Sequence, residues 1–266
     1  MIFARWVLLI GAITAIGAFG ATLLSYPADA RVMRASRRLS WILPLGAFLI
    51  ITAQLFAWFG IDGLTNPENA QAMITITLWG LHWSWLAAAS VIVVTLFHLA
   101  AWRPRIWIVA SAIAAVAVTA FVPLVGHGGT HDAATLIWHR MHLLGAGLWI
   151  GSLTITLVAG LSDPLAMLTK LRRFAPLALT GASLIAISGT ALAWRHMRPL
   201  STLWTTDYGL VLLTKAAAAI GVGSLGFLNW RAPRTRLVVA EVLTALLVVL
   251  ALTAWLSELE LPRMAH

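Results

Sequence analysis

Two histidines three residues apart, His139 and His142, follow a glycine-flanked pair, His127 and His131, within the run from Gly126 to His142. Positions three apart share a helix face, and the glycines beside His127 let a loop fold its imidazoles back over that face, so four nitrogen donors can converge. Imidazole suits copper, zinc, nickel or iron, and affinity in the divalent series peaks at Cu2+. Thioether sulfur favours Cu+, so Met73, Met141 and Met197, expected on the same side of the molecule, extend the range to copper in either oxidation state. The chain has no cysteine, which excludes a thiolate site and a disulfide framework. The metal ligands expected are His127, His131, His139 and His142, with His82, Met141, His196 and Met197 as further candidates to complete coordination.

Lipid must surround the elements that hold these residues. Hydrophobic residues make up 61% of the 266 positions and charged residues 10%, too little polar surface to coat a water-soluble domain of this size. The apolar stretches are unbroken rather than alternating, which selects helices over a β-barrel, because each backbone amide in hydrocarbon must be satisfied within its own segment. The fold class is therefore all-α, a polytopic membrane bundle forming one transmembrane domain over residues 1–266. The net charge of +9 does not indicate a nucleic-acid partner, since the basic residues sit in short clusters between apolar spans and orient the protein instead.

A helix needs ~20 apolar residues to cross the bilayer core. By that measure eight spans are expected, near 3–24, 41–60, 76–99, 106–125, 136–161, 174–194, 208–229 and 237–257. Arg31, Arg34, Arg37 and Arg38 fill the first connection, Arg103 and Arg105 the third, Lys170, Arg172 and Arg173 the fifth, and Arg231, Arg234 and Arg236 the seventh. Asp62 and Glu68 lie in the second, and the fourth carries histidines. The odd-numbered connections are thus expected inside and both termini on the periplasmic side, with Arg195 and Arg198 in the sixth connection departing from the rule. Arg5, the apolar run from Trp6 to Leu24 and the trio Ala28, Asp29, Ala30 imitate a secretory signal. The run is long for a signal core, and cleavage would place the following arginines outside.

This topology puts seven of eight histidines toward the outer face, His98 being the exception. His98, His196 and His266 read as interfacial polar residues; Trp83, Trp85, Trp138 and Trp149 read as belt and packing aromatics. Gly147 and Gly151 form a small-xxx-small pair suited to close helix packing. Glu241 is expected to pair with Arg236 or another inner arginine. Lys215, deep in the seventh span, would repel a metal cation unless it meets an acceptor or an anionic group such as a porphyrin propionate. That keeps open a haem b reading, in which His82 and His142 supply axial nitrogens and Lys215 faces a propionate.

The run from His139 to Gly151 (HRMHLLGAGLWIG) after Gly126 and His127, then Arg173 and Phe174, Ser188 and Gly189, Tyr208 and Gly209 leading to Lys215, and Asn229, resembles the copper resistance protein D family over residues 120–260. The resemblance implies a multi-pass protein of the bacterial cytoplasmic (inner) membrane that takes part in copper import or homeostasis, often beside a periplasmic copper-binding partner. It implies a binding and transport role rather than an enzyme, whereas bound haem would imply an electron-transfer or porphyrin-handling protein. A copper chaperone or assembly factor for a respiratory oxidase is the third reading.

Overall fold

The computed structural model describes residues 1–25, 29–126, 132–161, 163–171, 173–232 and 234–259. His127, His131 and His266 lie outside the described residues. In chain order the helices are α1 (Ile2–Leu24), α2 (Ala30–Leu39), α3 (Ile42–Phe59), α4 (Asp62–Thr65), α5 (Pro67–Ile76), α6 (Leu78–Ala100), α7 (Pro104–Phe121), α8 (Ala133–Ala146), α9 (Ser152–Gly160), α10 (Pro164–Leu171), α11 (Ala175–His196), α12 (Thr202–Thr205), α13 (Asp207–Arg231), α14 (Thr235–Leu243) and α15 (Leu250–Leu256). A 3-10 turn, Val122–Val125, prolongs α7. Two π-helical segments, Gly147–Gly151 and Thr244–Val249, join α8 to α9 and α14 to α15. Eight helices are long and apolar enough to cross a membrane, and no strand occurs among the described residues.

Helix α1 is the hub, packing on α3, α7, α9, α15 and the first π segment. Its contact with that segment is a glycine crossing. A side chain on Gly17 would run into the backbone of Gly151 and Ser152, and one on Gly147 into Ile16, so only glycines allow the approach. The π turns release main-chain acceptors, and polar side chains meet them: Ser152 Oγ donates to the Gly147 carbonyl (3.4 Å) and Trp6 Nε1 to the Leu246 carbonyl (2.7 Å). Other indoles tie helices together in the same way. Trp83 donates to Ala47 O (2.8 Å), Trp79 to Val125 O (3.2 Å), and Trp107, wholly buried and stacked on Phe97, to Thr22 Oγ1 (3.0 Å). Trp83 is thus a hydrogen-bonding link as well as a packing residue.

The first connection is not irregular. Asp29 caps α2 by accepting from Arg31 N (2.7 Å), and the helix buries Val32, Met33, Ala35 and Ser36 while Arg34 and Arg38 face outward. Arg31 pairs with Asp163 (2.9 Å) and Lys170 with Asp29, which staples this end of the bundle to α10. The second connection is also helical. Gly60, in the left-handed region at φ 64°, ends α3, and Asn66 and Thr77 cap α5 and α6.

Helices α11 and α13 contrast with the hub. Each buries only a few residues, and each packs along one side, α11 on α8 and the first π segment, α13 on α12, α14, α15 and the second π segment. The remaining faces carry exposed Leu179, Ile187, Leu213, Ile220 and Phe227, as lipid contact requires.

Candidate metal-binding site

Helix α8 begins at Asp132, whose carboxylate accepts from Thr135 N and Thr135 Oγ1, both at 3.0 Å. The same carboxylate receives Arg195 from the end of α11 at 2.6 Å. The Thr135 backbone N–H is the main cause of an Asp132 carboxyl pulled down to about 2, with the Thr135 hydroxyl and Arg195 adding to it. The start of α8 and the end of α11 are thereby pinned side by side. Further along, the antiparallel pair closes on glycines: a Cβ on Gly145 would lie 2.7 Å from Gly181 O, and one on Gly181 2.7 Å from Gly145 O.

Between these two fixed points lie the imidazoles. His139 on α8 and His196, the last residue of α11, have ring centroids 6.2 Å apart. His196 therefore belongs to a helix, not to the connection where the sequence places it. One turn deeper, His142 lies over Gly189, where a Cβ would come 3.3 Å from its Cε1. Its Nδ1 is 3.1 Å from Ser188 Oγ. The Ser188 hydroxyl donates to the Leu184 carbonyl, so its oxygen accepts from His142 Nδ1–H, leaving the lone pair on Nε2. A hydrogen bond that fixes the tautomer and the ring in this way is what a ligating histidine requires.

Among the described residues, four arginines at this end are engaged elsewhere. Arg5 pairs with Glu258, Arg195 with Asp132, Arg198 lies 4.3 Å over the Trp194 ring, and Arg140 donates to Ala120 O (3.2 Å) at the carbonyl end of α7. Lys215 on α13 is half-buried, forms no ion pair among the described residues, and is close enough to His142 to act on it electrostatically.

Other sequence candidates are not brought in. Met197 is 1% exposed, packed with Tyr208, Val211 and Leu256, and its Sδ accepts from Thr202 Oγ1 (3.7 Å). Met73 is buried against Ile51 and Leu55. His82 is buried on α6 with its ring 5.6 Å from Trp85, while His142 Nδ1 faces Ser188 of α11. Met141 is half-buried beside His142. His98 is on the far side, bonded to Val94 O (2.8 Å) and edge-on to Trp41. Among the described residues no group of three or more His, Asp or Glu side chains stands close enough to hold a metal ion. Sequence reasoning singled out Ser188 and Gly189 only through the family resemblance and missed their role beside His142, and it missed Asp132 and Arg195, for which an Asp three residues before Thr135 was the local signal of a helix cap.

Glu241 is a correction. It pairs with no arginine among the described residues; it accepts instead from Trp149 Nε1 (3.0 Å) and Asn229 Nδ2 (2.7 Å).

No curated protein and no solved structure matches the chain. The family model described as copper resistance protein D matches residues 168–257, the stretch that runs from within α10 to the end of α15 and carries Ser188, Gly189, His196, Lys215, Asn229 and Glu241. The match covers about a third of the chain, and over that stretch it supports membership of the copper resistance protein D family.

Proposed function

We propose that the chain captures copper at the outer, histidine-bearing end of its bundle and passes it inward across the bacterial cytoplasmic membrane, as import or as part of copper homeostasis. The family match over residues 168–257 supports a role in copper resistance or homeostasis, and the site and the direction go beyond it. The observation that carries it is the α8–α11 pairing, which sets His139 beside His196 and presents a tautomer-fixed His142 one turn deeper. His127 and His131 would bring further nitrogens from the stretch between Gly126 and Asp132, with Met141 as a soft ligand. Asp62, Glu68 and Asp207 share this end in the expected topology and favour approach of a cation, whereas Asp132 and Glu258 are neutralised by Arg195 and Arg5. Because proton and metal compete for the same imidazole lone pair, acidification releases the ion.

The test is metal analysis and an optical spectrum of the detergent-purified protein. Bound copper without a Soret band is expected, with copper lost in the His139→Ala/His196→Ala double variant. A Soret band, or a double variant that keeps its copper, overturns the reading. A periplasmic copper-binding partner would deliver the ion to the same end.

A further inference from the structure

At the opposite, arginine-rich end lies a polar site that copper capture does not use. Glu241 on α14 is 2% exposed and meets two neutral donors, Trp149 from the first π segment at Oε1 and Asn229 from α13 at Oε2. Gly226 keeps the space open: a Cβ there would come 2.9 Å from Glu241 Oε1 and 3.5 Å from Trp149 Cζ2. Three transmembrane segments thus converge on one carboxyl group inside the hydrocarbon span.

The charges around it do not neutralise it. On α14 the nearest cation in sequence is Arg236, and on α13 Arg231, which lies 5.0 Å over the Phe227 ring. Helix α9 and both π segments carry no titratable side chain, and Lys170 of α10 is paired with Asp29. Among the described residues Glu241 has no ion-pair partner. Two neutral hydrogen bonds do not replace the hydration of a buried carboxylate, so such a group takes up a proton or another cation.

The neighbouring amide carries an unused acceptor. Asn229 Oδ1 is buried and has no hydrogen-bond partner. Of the three carboxyl and amide oxygens in the cluster, two accept a hydrogen bond and Asn229 Oδ1 accepts none. A proton on Glu241 Oε2 finds that acceptor when the Asn229 amide turns over, which places Oδ1 against the new O–H and the NH2 where Oδ1 now stands. The carboxyl group itself is then hydrogen-bonded at both oxygens in either charge state.

We propose that Glu241 is an intramembrane proton-binding site that exchanges with the arginine-rich side, with Asn229 and Trp149 as its positioning residues. The proposal stands on this triad and goes beyond the copper reading. The step is a single reversible transfer from water to a carboxylate oxygen, with no electron transfer. Trp149 lies two turns beyond His142 on one continuous span, so the helix that presents an imidazole at one end presents the indole to the carboxyl at the other. This gives an ion-translocating bundle a built-in proton carrier.

Infrared difference spectroscopy of the purified protein across pH tests it. Wild type is expected to show a protonated-carboxyl carbonyl band that grows with acidification, is absent in Glu241→Gln, and changes frequency in Asn229→Ala and Trp149→Phe, where a hydrogen-bond partner of the group is removed. If Glu241→Gln fails to fold, Glu241→Asp serves, and its band must move from the wild-type position. A wild-type band retained in Glu241→Gln, or a Glu241 that stays ionised at every pH at which the protein is folded, overturns the proposal. Copper content of the same samples is a separate readout. Its absence would defeat the copper reading and leave the infrared result standing.

Discussion

Replacing Gly181 with alanine inserts a methyl group between α8 and α11 at the level that positions the imidazoles. The new Cβ would stand 2.7 Å from Gly145 O, 2.8 Å from Trp149 Cβ and 2.9 Å from Trp149 N, where ordinary contact begins at 3.4 Å. Backbone atoms cannot swing aside, so the helices must part by about 0.7 Å, the shortfall between 3.4 and 2.7 Å. The His142–Ser188 hydrogen bond, 3.1 Å now, would lengthen to about 3.8 Å and be lost. Overpacking of this kind costs about 2 kcal/mol and the broken hydrogen bond about 1 kcal/mol, while alanine's better helix propensity offsets about 1 kcal/mol. The net destabilisation expected is about 2 kcal/mol, together with weaker copper binding through a misplaced His142. Gly221→Ala is the control, because nothing lies within 4 Å of its Cβ, and it should be neutral or stabilising. Thermal unfolding in detergent, followed by a copper titration, reads both effects. A Gly181→Ala protein as stable as wild type, or a Gly221→Ala protein equally damaged, would refute the argument from close approach.

Three further outcomes are expected. Gly189→Leu should drive the His142 ring off Ser188 and lower copper affinity by about tenfold or more, the scale on which second partners of metal-ligating histidines act, whereas Met197→Leu should leave copper content unchanged and alter stability by less than about 1.5 kcal/mol, because Met197 packs in a core away from the imidazoles; equilibrium copper titration of both variants checks this. The Asp132 carboxyl, with an ordinary value of 3.8, is depressed to about 2 when folded, so its contribution is complete above the ordinary value and disappears as pH falls toward 2. Unfolding midpoints should therefore drop across that window more in wild type than in Asp132→Asn. Trp107→Phe removes the bond to Thr22 Oγ1 at the α1–α7 contact and should cost about 1 kcal/mol in the same unfolding assay.

The membrane spans were legible because hydrocarbon demands long apolar runs, a signal each segment carries by itself. Helix α2 was written there too, in Val32, Met33, Ala35 and Ser36 between the arginines, but the charge of the stretch reads first as a connection. The π segments were not legible, since the Gly17–Gly151 crossing that accompanies the first joins residues far apart in the chain. The same holds for Glu241: its nearest arginine in sequence is an obvious partner, yet the indole that reaches it comes from 92 positions away. Pairing His139 with His142 needed only helical spacing. Adding His196 needed the register of α8 against α11, set by Asp132–Arg195 and by Gly145–Gly181. That register also accounts for one of the two arginines in the sixth connection that ran against the charge bias, since Arg195 is neutralised by Asp132. Lys215 remains a lysine near His142 for which the structure shows no anionic partner among the described residues.

X-ray absorption at the copper edge of the copper-loaded protein tests the central claim most directly. The account predicts a first shell dominated by imidazole nitrogen, with the outer-shell scattering of the histidine ring, that weakens in His139→Ala and again in His139→Ala/His196→Ala. A copper shell without an imidazole contribution, or one that these substitutions leave unchanged, would contradict it.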